Sequence, residues 1–274
     1  MSDLIDVYAQ RLQAAGRSAA TITVRCRVLR HADRHLPGGL DTACADDLAA
    51  YLAQTKTAWT RHTYWSHLRG YYRTMVRAGR LTMDPMAHLD SPAQGDSMPN
   101  PVSDEELARA IADSPEQPWR TAVILAAYAG LRCMELVALL REDVTEQAVH
   151  IRNGKGGKGR YVPTHPVLWG YIVDRPAGPL VLSATGRPMH AGWISSVQRA
   201  HWDALAMPDV HMHRFRHWFG SALVERGVGI EVVRELMGHA NIATTQGYVR
   251  VSVARQRVAL LSLPAIGEVG PARV

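Results

Sequence analysis

Two segments near the C-terminus carry the residue types that could do chemistry. His213-Arg214-Phe215-Arg216-His217 is followed by Leu236-Met237-Gly238-His239, and then by Tyr248 in Thr244-Thr245-Gln246-Gly247-Tyr248. A phenol hydroxyl is a nucleophile once its proton is taken, and imidazoles move protons near pH 7. A guanidinium grips phosphate oxygens in a planar fork. The combination suits attack on a phosphodiester. Upstream lie Arg132, in Ala129-Gly130-Leu131-Arg132-Cys133-Met134-Glu135-Leu136, and Lys155, in Asn153-Gly154-Lys155-Gly156-Gly157-Lys158-Gly159.

Each of these residues has a plainer reading beside it. Arg132 and Glu135 are three apart, the spacing of an ordinary helical ion pair. Burying such a pair in an apolar segment is costly, which favours a phosphate clamp at Arg132 with Glu135 as its support. His211, His213 and His217 form a cluster whose plainer alternative is a metal site. A zinc-protease pattern needs Glu after the first His of an i, i+4 pair, and Arg214 stands there, so no metal is expected. Two positions from Arg216, Arg214 points elsewhere on a helix. His217 reads as a packing or supporting residue.

These residues must be held by helices and one hairpin. An N-terminal all-helical stretch is expected as four short helices, the first a stripe of Leu4, Val7, Tyr8 and Leu12 ending near Gly16. The second runs from Thr21 to before Pro37, the third over 44–54, and the fourth over 60–78 with Gly79 as its stop. The proline-rich, aperiodic stretch 91–101 reads as an exposed linker between domains at 1–90 and 102–274. After it, Ser103-Asp104-Glu105-Glu106 reads as a helix N-cap. Helices follow to Leu140 with a break at Gly130, then strands at 149–152 and 160–163 flanking the glycine-rich turn. Further helices are expected at 190–206, 212–226, 230–237, 241–249 and 251–261. The fold class is mainly α, with a four-helix N-terminal domain and a mostly α second domain holding a small antiparallel sheet.

Composition sets the partners. The net charge is +6, and it is uneven: residues 1–95 carry 12 Lys/Arg against 8 Asp/Glu, or +4, and the remainder 19 against 17, or +2. Such a balance favours a polyanion. In the fourth helix Arg61, Trp65, Arg69, Arg73 and Arg77 recur every four residues, and Arg27, Arg30 and Arg34 make a similar stripe in the second. A solvated face is the plain alternative for one stripe; two stripes shift the reading toward DNA. Only Lys56, Lys155 and Lys158 are lysines, against 28 arginines, so two of three in one glycine-rich turn points to a task arginine cannot do, such as giving up a proton. Cys26, Cys44 and Cys133 have no paired spacing, which fits a reducing cytoplasm. The start lacks a signal-peptide pattern, and the apolar stretch 121–140 is interrupted by Arg132 and Glu135, so a membrane span is not expected.

Taken in order, Arg-x-x-Glu, Gly-Lys-Gly, His-x-x-Arg-His, Leu-x-Gly-His and a Tyr nine residues on resemble the tyrosine recombinase family of phage integrases and Xer enzymes, over about 101–261. The resemblance implies a SAM-like core-binding domain before the catalytic one. It implies Tyr248 as the nucleophile forming a 3′-phosphotyrosine, and Arg132 and Arg216 as clamps on one phosphate. His213 corresponds to the general base, His239 to a phosphate hydrogen-bond donor, and Lys155 to the acid that protonates the departing 5′ oxygen. Lys158 is then a plain phosphate contact, with Arg27, Arg30, Arg61, Arg69, Arg73 and Arg77 as further DNA contacts. The implied partners are double-stranded DNA at a specific site, copies of the same chain in a tetramer, and accessory DNA-bending or directionality proteins. No cofactor is implied. The start at the helical bundle leaves no room for an arm-binding domain, which points to a compact integrase in a bacterial cell, phage-encoded or nucleoid-associated. Xer-like resolution, a type IB topoisomerase and a non-catalytic repressor are the alternatives. The tail 251–263, with Val253, Val258 and Leu261, offers an apolar face for a neighbouring copy.

Overall fold

The computed structural model describes residues 3–93, 100–152, 159–238 and 253–264. The chain divides into two compact units, Met1–Met98 and Pro99–Val274.

The first unit is a bundle of four helices: α1 (Asp3–Ala14), α2 (Ala19–His35), α3 (Ala45–Ala53) and α4 (Ala58–Arg77). Hydroxyl caps start two of them: Ser18 Oγ accepts the Thr21 N–H at 3.3 Å, and Thr57 Oγ1 accepts that of Thr60 at 3.1 Å. Leu29, Leu48, Leu68, Tyr71, Tyr72 and Met75 are buried at the centre. Burying two tyrosines requires partners for their hydroxyls, and Tyr72 Oη donates to the Leu40 carbonyl at 2.8 Å while Tyr71 Oη donates to Asp41 at 3.1 Å.

The second unit begins with α5 (Asp104–Asp113), closed by the capping box read from sequence. Ser103 Oγ accepts the Glu106 N–H at 3.1 Å, and the Glu106 carboxylate accepts that of Ser103 at 2.8 Å. α6 (Thr121–Ala129) is buried on every side, as its mostly apolar sequence requires, and packs against α10 (Met212–Glu225). Gly130 ends α6 at φ +62°, where a side chain would also strike the Phe219 ring. α7 (Cys133–Ala138) follows. Strands β1 (Ala148–Ile151) and β2 (Arg160–Pro163) pair antiparallel with His150 opposite Tyr161. Then come α8 (Pro166–Ile172), α9 (Ala191–Ala204), α10, α11 (Ile230–Met237) and α12 (Val253–Leu261). The sequence reading missed α8, whose Pro166 start, Gly170 and length of about two turns leave little helical signal. Ala259, Leu260 and Leu263 pack into the core of their own unit, while Val258 and Leu261 stay exposed. No helix among the described residues is long and apolar enough to cross a membrane.

Candidate active site

A buried carboxylate organises the centre of the second unit. Glu135 lies in the first turn of α7 with its side chain 2% exposed. Its Oε2 accepts the Arg132 backbone N–H at 2.9 Å and its Oε1 accepts from Arg132 Nη1 at 2.8 Å, so one residue caps the helix start and orients the guanidinium. Arg160 meets the same carboxylate side-on, Nη1 to Oε1 at 2.8 Å and Nη2 to Oε2 at 2.9 Å, the two-pronged geometry that fixes both partners. Arg216 completes the set, with Nη1 3.9 Å from Glu135 Oε2. Burial alone would raise the Glu135 pKa; the hydrogen bonds and charge of Arg160, then Arg132, outweigh it and hold the group below its ordinary value.

The same arginines seize the end of α11. Arg160 Nε donates to the Leu236 carbonyl at 3.2 Å, Arg216 Nη2 to that of Met237 at 2.6 Å, and Arg132 Nη2 to that of Gly238 at 2.8 Å. These are carbonyls that an ending helix leaves unpaired, at its negative pole. Gly238 closes the helix at φ +60°, and a side chain there would meet the Arg160 guanidinium. Arg216 Nη1 also donates to the Gly130 carbonyl, which ties α10 to the break after α6. Three consecutive carbonyls thus hold three guanidiniums in place. Three cations against one carboxylate leave an excess of two positive charges, which a phosphate can occupy.

His213 stands three residues before Arg216 on α10, on the same face. Its pKa is pushed down to about 4, first by loss of water around the ring and then by the positive field of His217, Arg216, His211 and Arg132. A neutral imidazole at pH 7 can accept a proton. His217 packs edge-on to it, ring centres 4.5 Å apart, and burial, then Arg216, lowers it too. Arg214 points the other way and is spent on structure: Nε donates to the Asn100 carbonyl at 3.1 Å, Nη2 to that of Pro101 at 2.9 Å, and Nη1 to that of Asp209 at 3.2 Å. Among the described residues, no group of three or more His, Cys, Asp or Glu could hold a metal ion. Lys155, Lys158, His239 and Tyr248 lie outside the described residues.

Sequence reasoning missed Arg160. A signal was present: in β2, residue 160 shares the inward face with the fully buried Val162, and an arginine at an inward strand position needs a buried partner.

In the N-terminal unit the expected arginine ridge on α4 parts at its first member, while Arg69, Arg73 and Arg77 are exposed. Residues four apart drift about 40° per step around a helix, or about 160° from Arg61 to Arg77. Arg61 accordingly turns to the α3–α4 connection and donates to the carbonyls of Leu52 at 3.2 Å and Thr55 at 3.1 Å. Arg69 lies 5.0 Å over the Trp65 ring. Arg73, Arg77 and Arg27 are exposed, and Arg30 pairs with Asp6 at 3.2 Å.

A helical unit with a small antiparallel hairpin, holding a caged arginine cluster with an adjacent neutral histidine, defines a class of anion-binding sites suited to transferring a phosphoryl group. Comparison makes the class specific. Residues 103–255 match the profile of the phage integrase family. Tyrosine recombinase XerD of Shewanella oneidensis is 30% identical over 92% of this chain and 93% of its own length. Tyrosine recombinase XerC of Nitrobacter winogradskyi is 31% identical over 69% of this chain and 66% of its own length. A lambda integrase fragment, solved as a dimer bound to a COC′ core site, superposes with a TM-score of 0.67 over 91% of this chain and 98% of that one, at 18% identity, a likeness of fold. The chain belongs to the phage integrase family.

Proposed function

We propose that this protein recombines duplex DNA at a specific site by cutting and rejoining strands through a 3′-phosphotyrosine. Tyr248 Oη attacks the scissile phosphorus while His213 takes its proton. The new O–P bond forms as the bond to the 5′ oxygen breaks, and Lys155 protonates that oxygen. A 5′-hydroxyl from another duplex then attacks the phosphotyrosine and releases Tyr248, so the bond energy is kept and no cofactor is consumed. Arg132 and Arg216 neutralise the non-bridging oxygens as charge grows on phosphorus, with His239 as a further donor. Five N–H groups per guanidinium leave donors for phosphate beyond those the carbonyls and Glu135 occupy. Glu135 and Arg160 hold the clamps, and His217 supports His213.

The observation that carries this reading is the convergence of Arg132, Arg160 and Arg216 on Glu135 in a chain of this family. The N-terminal unit, residues 1–90, would bind the same DNA as the catalytic unit, 102–274, the two joined by the linker 91–101. Exchange between two duplexes requires several copies, four in the simplest scheme, with accessory DNA-bending or directionality proteins where the site demands them. Integration and excision of a mobile element is the use we favour; chromosome or plasmid resolution is the second reading, supported by the similarity to XerD over 92% of the chain.

A nicked suicide duplex, from which the short 5′ fragment diffuses away, tests the chemistry. Covalent trapping of the chain on DNA is expected, and appearance of recombinant joints separates recombination from strand relaxation. Absence of any covalent product with cognate DNA would overturn the reading.

A further inference from the structure

Five arginines from three helices and a loop line one cleft in the N-terminal unit. Arg11 comes from the last turn of α1, Arg17 from the α1–α2 connection, Arg25 from α2, and Arg73 and Arg77 from the second half of α4, around a space of about 360 Å³. No carboxylate lines it. Arg25 donates to Tyr8 Oη at 3.2 Å, a neutral acceptor. The side chains of Arg11, Arg17, Arg73 and Arg77 make no hydrogen bond or ion pair among the described residues. A second cleft among the described residues of the unit, about 450 Å³ and lined by His31, Tyr51 and Tyr64, has Lys56 as its only lysine or arginine. Five arginines thus share one concave space, while the other cleft presents none.

Five like charges around one concave space repel each other, and a low-dielectric wall beside them strengthens the field. An anion with several oxygens relieves that repulsion, and planar guanidinium forks match phosphate geometry. We propose that this cleft is the seat of consecutive backbone phosphates of a DNA strand, so that the α1–α2–α4 edge, and not a ridge along α4, is where the N-terminal unit grips its substrate. The proposal deepens the proposed function and rests on it for the identity of the polyanion. Arg11, Arg17 and Arg25 join Arg73 and Arg77 in the role, and Arg61 leaves it.

The experiment compares two triple variants of the full chain with equal charge change. One is Arg11→Gln/Arg17→Gln/Arg77→Gln in the cleft; the other is Arg34→Gln/Lys56→Gln/Arg80→Gln outside it. Duplex affinity is measured across a salt series. Each lost phosphate contact flattens the slope of log K against log salt by roughly 0.9, so the cleft triple should flatten it by between one and three such steps and the outer triple by less than one. Equal flattening by both triples, or none by the cleft triple, would overturn the assignment. ATP and poly-glutamate are titrated as competing anions: weak binding of both supports a DNA strand, whereas either one binding as tightly as duplex would make the cleft a nucleotide or acidic-peptide site. Suicide-substrate trapping at saturating protein is run in parallel. Continued trapping by the cleft triple shows that the chemistry is intact, so a failure of the cleft is not confused with a failure of the catalytic reading.

Discussion

Arginine does opposite work in the two units. Arg216 is 1% exposed, Arg160 13% and Arg132 23%, and each is held by the Glu135 carboxylate, a helix-end carbonyl or both. Arg11, Arg17, Arg73 and Arg77 are exposed around a cleft without a carboxylate. The first group is fixed before any ligand arrives, so little reorganisation is needed when charge develops on phosphorus. The second group acts at range and pays for nothing in the fold; its attraction is screened by salt. The difference separates geometry from attraction: changes in the second unit should alter cleavage and stability, and changes in the first should alter affinity and its salt dependence.

The largest expected effect comes from removing the shared carboxylate. Glu135→Ala leaves three guanidiniums crowded with no anion between them, and stability should fall by about 3–5 kcal/mol in urea unfolding. A loss below about 1 kcal/mol would mean that the helix-end carbonyls alone hold the cluster. Glu135 also sets an acid limit. Its folded pKa is depressed, so its stabilisation is present above the ordinary carboxylate range and disappears as pH falls through the lower folded value.

Next in size are the clamps. Arg132→Ala and Arg216→Ala should each slow single-turnover cleavage by roughly a hundred- to a thousandfold, the cost of one lost oxyanion donor, with DNA affinity changed little. Arg214→Ala serves as the contrast: loss of its bonds to the Asn100, Pro101 and Asp209 carbonyls should lower the melting temperature while the folded fraction cleaves normally. A larger cleavage defect at Arg214 than at Arg216 would reverse the assignment of the two positions.

A smaller effect concerns pH. His213 is depressed to about 4, so it is neutral and able to accept a proton throughout the range above that value. The acid limb of the second-order cleavage rate, which reports the free enzyme, should lie well below pH 6.5 and move when His213 is replaced by Gln. An acid limb at the ordinary histidine value would show that the ring is not held desolvated beside those positive groups. Smallest of all is Arg30→Ala. It breaks an exposed pair with Asp6, and stability should change by about 0–1 kcal/mol.

Local signals in the sequence were enough for much of this. Gly130 marks the break after α6, where its backbone φ is positive, Ser103 and Glu106 announce the start of α5, and His-x-x-Arg places His213 and Arg216 on one face by helical spacing alone. What escaped depends on contacts between distant segments. Arg160 reaches Glu135 across 25 positions, and nothing in the neighbouring residues of β2 names that partner. The cleft escaped for the same reason, since Arg11, Arg25 and Arg77 sit on different helices. Arg61 departs from the α4 stripe because four-residue spacing and helical pitch disagree by an amount that accumulates over four turns.

The central claim is tested most directly by identifying the residue that becomes joined to DNA. The wild-type chain is trapped on a nicked suicide duplex, digested with protease, and the DNA-linked peptide sequenced by mass spectrometry; Tyr248→Phe is treated in the same way. The peptide should carry a 3′-phosphate on Tyr248, and the variant should bind the duplex nearly as well yet give no adduct. Linkage to another residue, or an undiminished adduct from Tyr248→Phe, would contradict the account.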